Sequence, residues 1–340
     1  MVRASDAEGP ALLGEADRRE LVRAERALAE AGQSARYVVV DGDRPGIPIG
    51  LLPVYPVARP YTVAPHPGLV LDGSKAARGW RTGCYLGSLG RAPGLVAVDP
   101  TVEPGPVRAA LVREAWRLVT EESDRLDFAC FPLLDAELLA DVVPLLAEHD
   151  PVLVETVEPF VPITFDSFDE YLGAQSRGRR AAIRQEQRRF QETGLRIVEV
   201  DLLTRYEQLA PLLRNVELKY GKTGDVEDYA NYLLSIAKSV GDQTTCLAVF
   251  GEDDPQGHDP VAFTVAWRQG EVWRLRCWGC DYARTEGTFT YFNLVVYEPL
   301  RRAIAAGVRR LVLGRGSLEA KVGRGAQLSR LTSVAVSLNR

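Results

Sequence analysis

The sequence predicts a mixed α/β (α+β) protein of two tandem domains, each a mixed, mostly antiparallel sheet flanked by helices. The chain has 340 residues, which is long for a single hydrophobic core. Its two halves also repeat one order of elements: helix, hairpin, further strand, long helix, short buried strand and closing strand. The second copy begins near residue 160. We therefore place the domains at residues 1–158 and 159–340.

The first half opens with a charged amphipathic helix over residues 17–31. A hairpin follows, because strand patterns over 36–40 and 47–55 flank a turn at 41–46. The stretch 56–67 is too dense in proline for a central strand. The remaining predicted elements are strands at 83–89 and 95–98, a helix at 106–123, a strand at 126–131, a helix at 135–148 and a strand pair at 152–163.

The second half contains the most unusual composition of the chain, an arginine-rich helix over residues 174–192. Six arginines fall within 13 residues, and Ile183 and Phe190 give this helix an apolar side. Gly194 ends it. The other predicted elements are a helix start at 165–172, helices at 204–220 and 226–240, a hairpin over 245–250 and 260–268, a strand at 271–278 and a closing strand at 329–338.

Residues 281–327 are the stretch around which the second half is organised. A turn leads into a helix whose apolar residues recur at three- and four-residue spacings, and Gly307 ends that helix. Residues 308–313 have the pattern of a short buried strand. Gly314 and Gly316 follow it and predict a basic loop. In α/β proteins such an arrangement places backbone N–H groups and a helix N-terminus beside a ligand.

Charge is distributed unevenly between the halves. Residues 1–155 carry 16 Lys and Arg against 23 Asp and Glu, whereas residues 156–340 carry 25 against 23. A basic half in an acidic protein indicates an anionic ligand for that half. No apolar run approaches the roughly 18 residues of a membrane span, and the acidic N-terminus lacks the apolar core of a signal peptide. We therefore expect a cytoplasmic protein with no membrane span.

Cys277 and Cys280 form a C-x-x-C pair at the end of a predicted strand. A thioredoxin-like pair would instead open a helix. A metal site would need a second such pair or nearby histidines, and the three histidines are dispersed along the chain. We therefore expect neither a metal site nor a disulfide framework.

Two runs of the second half resemble a known family. The run SRGRRAAIRQEQRRFQETGLRIVEV (176–200) is similar to the Arg/Lys-rich helix of Fem-type aminoacyl transferases and related bacterial acyltransferase domains. The run DYARTEGTFTYFNLVVYEPLRRAIAAGVRRLVLGRGSLEAK (281–321) is similar to their shared C-terminal unit. The resemblance implies tandem domains of the GNAT acyltransferase fold. It covers about residues 160–330 and is one of architecture alone over 1–155, where it implies a degenerate domain on the acceptor side or with a structural role.

The resemblance implies transfer of an acyl or aminoacyl group onto an amine of a small-molecule or peptide acceptor. Aminoacyl-tRNA or acyl-CoA would be the cosubstrate, with no tightly bound cofactor. CoA-dependent GNAT enzymes carry an Arg/Gln-x-x-Gly-x-Gly/Ala turn whose N–H groups hold the pyrophosphate. Arg284 and Gly287 match this turn and Thr288 adjoins them, but Phe289 puts a large ring where the family needs almost no side chain. This departure disfavours CoA.

The arginine-rich helix is the second signal for the donor. Arginines at this density repel one another unless an anion compensates them, and phosphate backbones are the usual reason. Two alternatives stay open: a solvated face paired with acids such as Glu186 and Glu192, or a cleft for an anionic acceptor. Under the tRNA interpretation the donor-binding arginines are Arg177, Arg179, Arg180, Arg184 and Arg188.

Aminolysis needs an amine aimed at a carbonyl and a stabilised oxyanion, and it needs no nucleophilic residue. The catalytic candidates are Glu319, Glu298 and Lys321, the carboxylates as acceptors of the amine proton, although a structural role is the simpler alternative for each carboxylate. Further candidates are Arg315 and Gly316 for the donor and Tyr220, Trp278 and Tyr291 for the acceptor pocket.

Two other functions stay open. One is an acyl-CoA-dependent N-acyltransferase. The other is a non-catalytic GNAT-like module that binds an anionic partner through its basic face. Turnover with any amine acceptor would exclude the second.

Overall fold

The computed structural model describes residues 2–5, 33–44, 46–58, 71, 79–87, 96–254 and 256–338. The predicted helix at 17–31 and most of the proline-rich stretch at 56–67 lie outside these residues. The chain divides into two compact units, the first formed by Met1–Val157 with Arg330–Arg340 and the second by Glu158–Ser329. That each half folds as an independent domain stays a prediction.

The first unit is built on a mixed sheet in which the strands hydrogen-bond in the order β1-β2-β3-β4-β6-β13, with β5 on β3. Only the pair β4–β6 is parallel among these described pairs. Its elements are β1 (Val2–Ser5), β2 (Arg36–Asp41), β3 (Pro48–Ala58), β4 (Thr82–Leu86), β5 (Ala97–Val98), α1 (Pro104–Glu121), β6 (Phe128–Leu134), α2 (Ala136–Leu146) and the last part of β13 (Gln327–Ser337).

Alternation along β2 shows how this sheet is packed. Val38 and Val40 lie in a buried cluster with residues of α1, whereas Tyr37 and Val39 lie in a second cluster on the other face. The hairpin predicted from the sequence is thus present, with both faces of the sheet buried.

The second unit repeats the plan, with strands in the order β7-β12-β11-β10-β9-β8 and β11–β12 as its parallel pair. Its elements are β7 (Val152–Pro162), α3 (Phe168–Ala174), α4 (Arg177–Glu192), β8 (Arg196–Val200), α5 (Leu202–Lys219), α6 (Val226–Val240), β9 (Thr244–Phe250), β10 (Ala262–Gln269), β11 (Val272–Cys280), α7 (Tyr282–Thr285), a helix α8 that runs through Thr290–Phe292, Asn293–Tyr297 and Glu298–Ala305, then β12 (Arg310–Val312), α9 (Leu318–Val322) and the start of β13.

Helices cover both faces of this second sheet. Residues of α3, α4 and α8 share a core with β7, β11 and β12, whereas α5 and α6 share another with β9 and β10. Two mixed, mostly antiparallel sheets flanked by helices confirm the predicted fold class. No helix of the described residues is both long and apolar enough to cross a bilayer.

Three local predictions differ from the structure. The strand pair predicted at 152–163 is one strand, β7, because no turn interrupts it. The closing strand belongs to the first unit from Arg330 onward, where it pairs with β6. The middle of α8, Asn293–Tyr297, is π-helical. Such widened turns are rare in helices and occur often at functional sites.

Close packing of α5 on β11 depends on Gly279. A Cβ at this position would lie 2.5 Å from the Leu213 backbone nitrogen and 2.6 Å from the Leu212 carbonyl carbon. We expect Gly279→Ala to lower the free energy of unfolding by about 1–3 kcal/mol, because backbone cannot move aside cheaply. Gly178→Ala, in α4 with open space around it, is the matched control and should raise stability by about 0.5–1 kcal/mol. Urea unfolding measures both, and equal effects would contradict the packing argument.

Candidate active site

The parallel strands β11 and β12 part at their carboxyl ends. Hydrogen-bonded pairing joins Val272–Arg274 to Arg310–Val312, and β11 then continues to Cys280 without β12 beside it. A bulge in the β10–β11 pairing leaves Arg276 without a partner on β10. Ligands commonly bind where neighbouring parallel strands end. This gap is therefore the first part of the candidate site.

The loop after β12 is fixed by Lys321. Its side chain is 2% exposed, and Nζ donates to the carbonyl oxygens of Leu313, Gly314 and Gly316 at 2.7, 3.0 and 2.6 Å. Burial lowers the pKa of Lys321 to about 8. Gly314 has φ +70°, a left-handed conformation that suits glycine. All three ammonium donors are used inside the loop, so in this structure Lys321 supports the loop, and its catalytic role stays a prediction.

An aromatic wall faces this loop. Trp278 and Tyr291 meet at 4.7 Å between ring centroids, and Tyr291 and Phe292 at 5.2 Å. The Tyr291 hydroxyl lies near Ser317 of the loop, and burial raises its pKa. Tyr220 is 61% exposed and lies within electrostatic reach of Tyr291. The three residues predicted for the acceptor pocket, Tyr220, Trp278 and Tyr291, thus lie together.

Behind the wall lies a buried charge cluster of three residues from α4, α8 and the segment after α9. Glu186 accepts two hydrogen bonds from Arg324, at 2.5 Å from Nη2 and 3.1 Å from Nε, and a third from the Tyr297 hydroxyl. The Arg324 guanidinium also lies 3.0 Å over the Phe292 ring. Burial, and next the hydrogen bond to Glu186, raise the pKa of Tyr297 far above its ordinary range. We call Glu186, Tyr297 and Arg324 the buried triad.

The exposed side of α4 carries its arginines. Ile183, Glu186 and Phe190 form the buried side, and Arg179 and Arg180 bond to Gln175 Oε1 and the Gly173 carbonyl oxygen. Three exposed arginines of α4 form no ion pair with any described residue: Arg177, Arg184 and Arg188. Glu192 pairs with Arg189 at 3.7 Å. Glu186 turns inward to Arg324, so the predicted balance of this face by Glu186 is wrong.

The turn before α8 departs further from a CoA-binding turn. Arg284 is paired with Asp259 at 2.6 Å, and the Thr288 hydroxyl donates to the Thr285 carbonyl oxygen at 2.7 Å. Gly287 has φ +72°, which a glycine adopts at little cost. Phe289 also has positive φ, +56°, and its side chain is 37% exposed. Position 289 therefore carries an exposed aromatic residue where a CoA-binding turn needs almost no side chain.

The two candidate carboxylates lie in different surroundings. Glu319 is exposed at the start of α9 and forms no ion pair with any described residue. Glu298 is held by Arg301 at 3.5 Å and by Arg302 at 2.9 Å. Of the two, Glu319 is the unpaired carboxylate, whereas the surroundings of Glu298 are those of a helix-stabilising pair.

The family of the chain follows from a comparison with family models. Residues 159–339, more than half of the chain, match the FemAB-like family described as peptidoglycan biosynthesis/recognition. The chain belongs to the FemAB-like family. The resemblance stated from the arginine-rich helix and from residues 281–321 is thereby confirmed, and the family agrees with the acyltransferase class that this resemblance implied. Comparison with curated proteins gives no match.

Solved structures confirm the fold of this FemAB-like protein. FemX superposes with a TM-score of 0.61 at 14% identity, over 96% of this chain and 92% of that one. The C-terminal domain of a putative lysylphosphatidylglycerol synthetase from Agrobacterium fabrum gives 0.52 at 10% identity, over 95% and 87%. A tandem GNAT protein from the clavulanic acid biosynthesis pathway gives 0.51 at 11% identity, over 100% and 99%. At these identities the likeness is one of fold, and it includes the predicted tandem GNAT arrangement.

Sequence reasoning about this FemAB-like protein missed the buried triad. Glu186 was interpreted only as an acid on the solvated face of the helix, and its pairing with Tyr297 and Arg324 was not predicted. A signal was present, since Glu186 follows Ile183 by three residues and precedes Phe190 by four, on the apolar side of the helix. A carboxylate on a buried face requires a cation or several hydrogen-bond donors. The sequence does not indicate which cation supplies them.

The positive φ of Phe289 in this FemAB-like protein predicts backbone strain, which substitution at this position can measure. A left-handed conformation costs a non-glycine residue about 1–2 kcal/mol. We expect Phe289→Gly to be more stable than Phe289→Ala by about 1 kcal/mol, because both remove the ring and only glycine removes the strain. Thermal unfolding of the two variants compares them. An equal melting temperature would mean that the positive φ at 289 carries no strain.

Proposed function

We propose that this protein forms amide bonds by moving an aminoacyl group from aminoacyl-tRNA onto an amine of a small-molecule or peptide acceptor, by direct aminolysis. Its membership of the FemAB-like family supports transfer of an acyl-type group, and its site residues support this choice of donor.

The choice of tRNA over CoA depends on one observation, which is the location of arginines that form no ion pair. Arg284, the arginine of the CoA-type turn, is paired with Asp259, and the same turn carries the exposed Phe289 in place of a small residue. The exposed face of α4 instead presents Arg177, Arg184 and Arg188 without ion pairs among the described residues. A row of free guanidiniums suits a phosphate backbone, to which arginine donates in a bidentate manner.

The reaction exchanges one bond to the carbonyl carbon for another. The amine nitrogen attacks the aminoacyl carbonyl carbon, the ester bond to the ribose oxygen breaks, and that oxygen takes up a proton as it leaves. The attacking nitrogen loses a proton, for which exposed Glu319 is the available acceptor. The Tyr291 hydroxyl, which lies near Ser317 of the loop, would donate to the developing oxyanion. Gly316 belongs to the same loop, and its backbone would hold the donor's terminal ribose or phosphate.

The donor is tested by offering both kinds of carrier. The purified protein is incubated with labelled amino acids charged onto total tRNA, with and without ribonuclease, and in parallel with a panel of acyl-CoAs. Amide formation with a set of trial amines is then measured against a heat-inactivated control. We expect product from charged tRNA that disappears after ribonuclease treatment. Product from acyl-CoA alone would overturn the donor assignment.

Acyl-CoA stays the second candidate donor, favoured by the Arg284 and Gly287 match and by the glycine conformation at 287. A third outcome of the same experiment is tight binding of tRNA with no product from any carrier. That result would favour a non-catalytic module that binds an anionic partner.

A further inference from the structure

A second group of arginines lies on the α5–α6 side of the second sheet, where β11 and β12 part. Arg276 is the bulged residue of β11, and its guanidinium carbon lies 5.9 Å from the ring centroids of Tyr232 in α6 and Trp267 in β10. A bulge of this kind redirects a side chain. Arg276 is exposed and forms no ion pair with the described residues.

Arg315 approaches from β12. Pairing on β12 ends at Val312, and a Cβ on Gly314 would lie 3.7 Å from the Leu275 carbonyl oxygen. The chain therefore passes beside the bulge just before Arg315. Arg315 is also exposed and free of ion pairs among the described residues, and it lies within electrostatic reach of Arg276.

The surroundings add positive charge with little compensation. Arg274 pairs with buried Glu158 at 2.7 Å, and the Arg310 guanidinium stacks 3.6 Å over the Phe160 ring. Arg274 and Arg276 both act electrostatically on Arg315, and Glu158 opposes them. Glu158 is thus the one carboxylate shared by Arg274, Arg310 and Arg315 in this group of residues. Like charges held together in this way are stabilised by a bound anion.

We propose that Arg276 and Arg315, the latter predicted from the sequence for the donor, form an anion-binding site, which binds a carboxylate or phosphate group of the acceptor on the α5–α6 side of the gap. This location is distinct from the exposed face of α4 and from the turn before α8. Assignment of the anion to the acceptor rests on the proposed function, whereas anion binding itself does not. Two arginine forks, one from β11 and one from the loop after β12, match the planar geometry of a carboxylate or the oxygens of a phosphate.

Binding is tested without any transfer reaction. Isothermal titration measures inorganic pyrophosphate and, separately, citrate, against the unaltered protein and Arg276→Gln/Arg315→Gln. We expect at least one of these anions to bind, and the double variant to bind it at least about tenfold more weakly, since a hydrogen bond to a charged group contributes about 1.5–3 kcal/mol. The matched control is Arg268→Gln/Arg309→Gln, with exposed arginines at the other end of these strands. No binding of either anion, or equal loss in both double variants, would overturn the site.

The origin of the anion is tested with acceptor pairs that share an amine, such as alanine and alaninamide, and with phosphorylated counterparts. A carboxylate or phosphate that lowers KM in the unaltered protein should lose that advantage in Arg276→Gln/Arg315→Gln, with kcat changed little. If the anions bind but no transfer product forms, the proposed function is wrong and the anion-binding site is still supported. Transfer with no preference for an anionic acceptor would remove the acceptor assignment.

Discussion

Arg324→Met is expected to lower the free energy of unfolding by about 3–5 kcal/mol, the usual cost of removing one partner of a buried ion pair. The substitution leaves the Glu186 carboxylate in a buried position with the Tyr297 hydroxyl as its remaining side-chain donor. It also removes the cation from the Phe292 ring and the bond from Arg324 Nη1 to the Ala320 carbonyl oxygen at 2.7 Å. Urea unfolding at neutral pH measures the loss.

Two further variants separate the buried charge from the loss of packing. Arg189→Met removes an exposed arginine paired with Glu192 on the same α4 helix, and should cost no more than about 1 kcal/mol. Glu186→Gln/Arg324→Met removes both charges and should recover part of the loss, because glutamine can still accept from Tyr297. A double variant less stable than Arg324→Met would mean that the unpaired carboxylate is not the cause.

The exposed face of α4 gives the second large expected effect. We expect Arg177→Gln/Arg184→Gln/Arg188→Gln to weaken binding of aminoacyl-tRNA by about 100-fold or more at 0.1 M salt. Each phosphate contact that is lost also reduces the slope of log K against log salt by about 0.7–0.9. Stability should change little, because these side chains are exposed and form no ion pairs among the described residues. Filter binding across a range of salt concentrations gives both affinity and slope.

The control for this variant carries the same change in net charge. Arg44, Arg113 and Arg125 are exposed arginines of the first unit without ion pairs among the described residues, and all three are changed to glutamine. If the control weakens tRNA binding as much as the α4 variant, net charge governs the interaction and α4 is not a specific contact. If neither changes it, the arginine-rich helix serves another anion and the tRNA donor loses its main support.

The sequence by itself determined the fold class and the burial of individual helix faces. Apolar spacing identified Ile183 and Phe190 as the buried side of α4, because side-chain direction along a helix follows a fixed local period. The Gly-flanked loop after β12 and the aromatic residues Tyr220, Trp278 and Tyr291 were likewise singled out from residue type and position, and the acceptor role of these aromatic residues stays a prediction. These properties depend on near neighbours in the chain, which the sequence displays directly.

Only the tertiary structure decided which charges meet. Glu186 and Arg324 are 138 residues apart in sequence, and their pairing depends on how α4, α8 and the segment after α9 approach one another. The same holds for the three backbone acceptors of Lys321, which the local sequence does not indicate. Coulomb energy depends on distance and on the loss of water around each charge. Both quantities are set when distant segments pack, and neither can be deduced from local sequence.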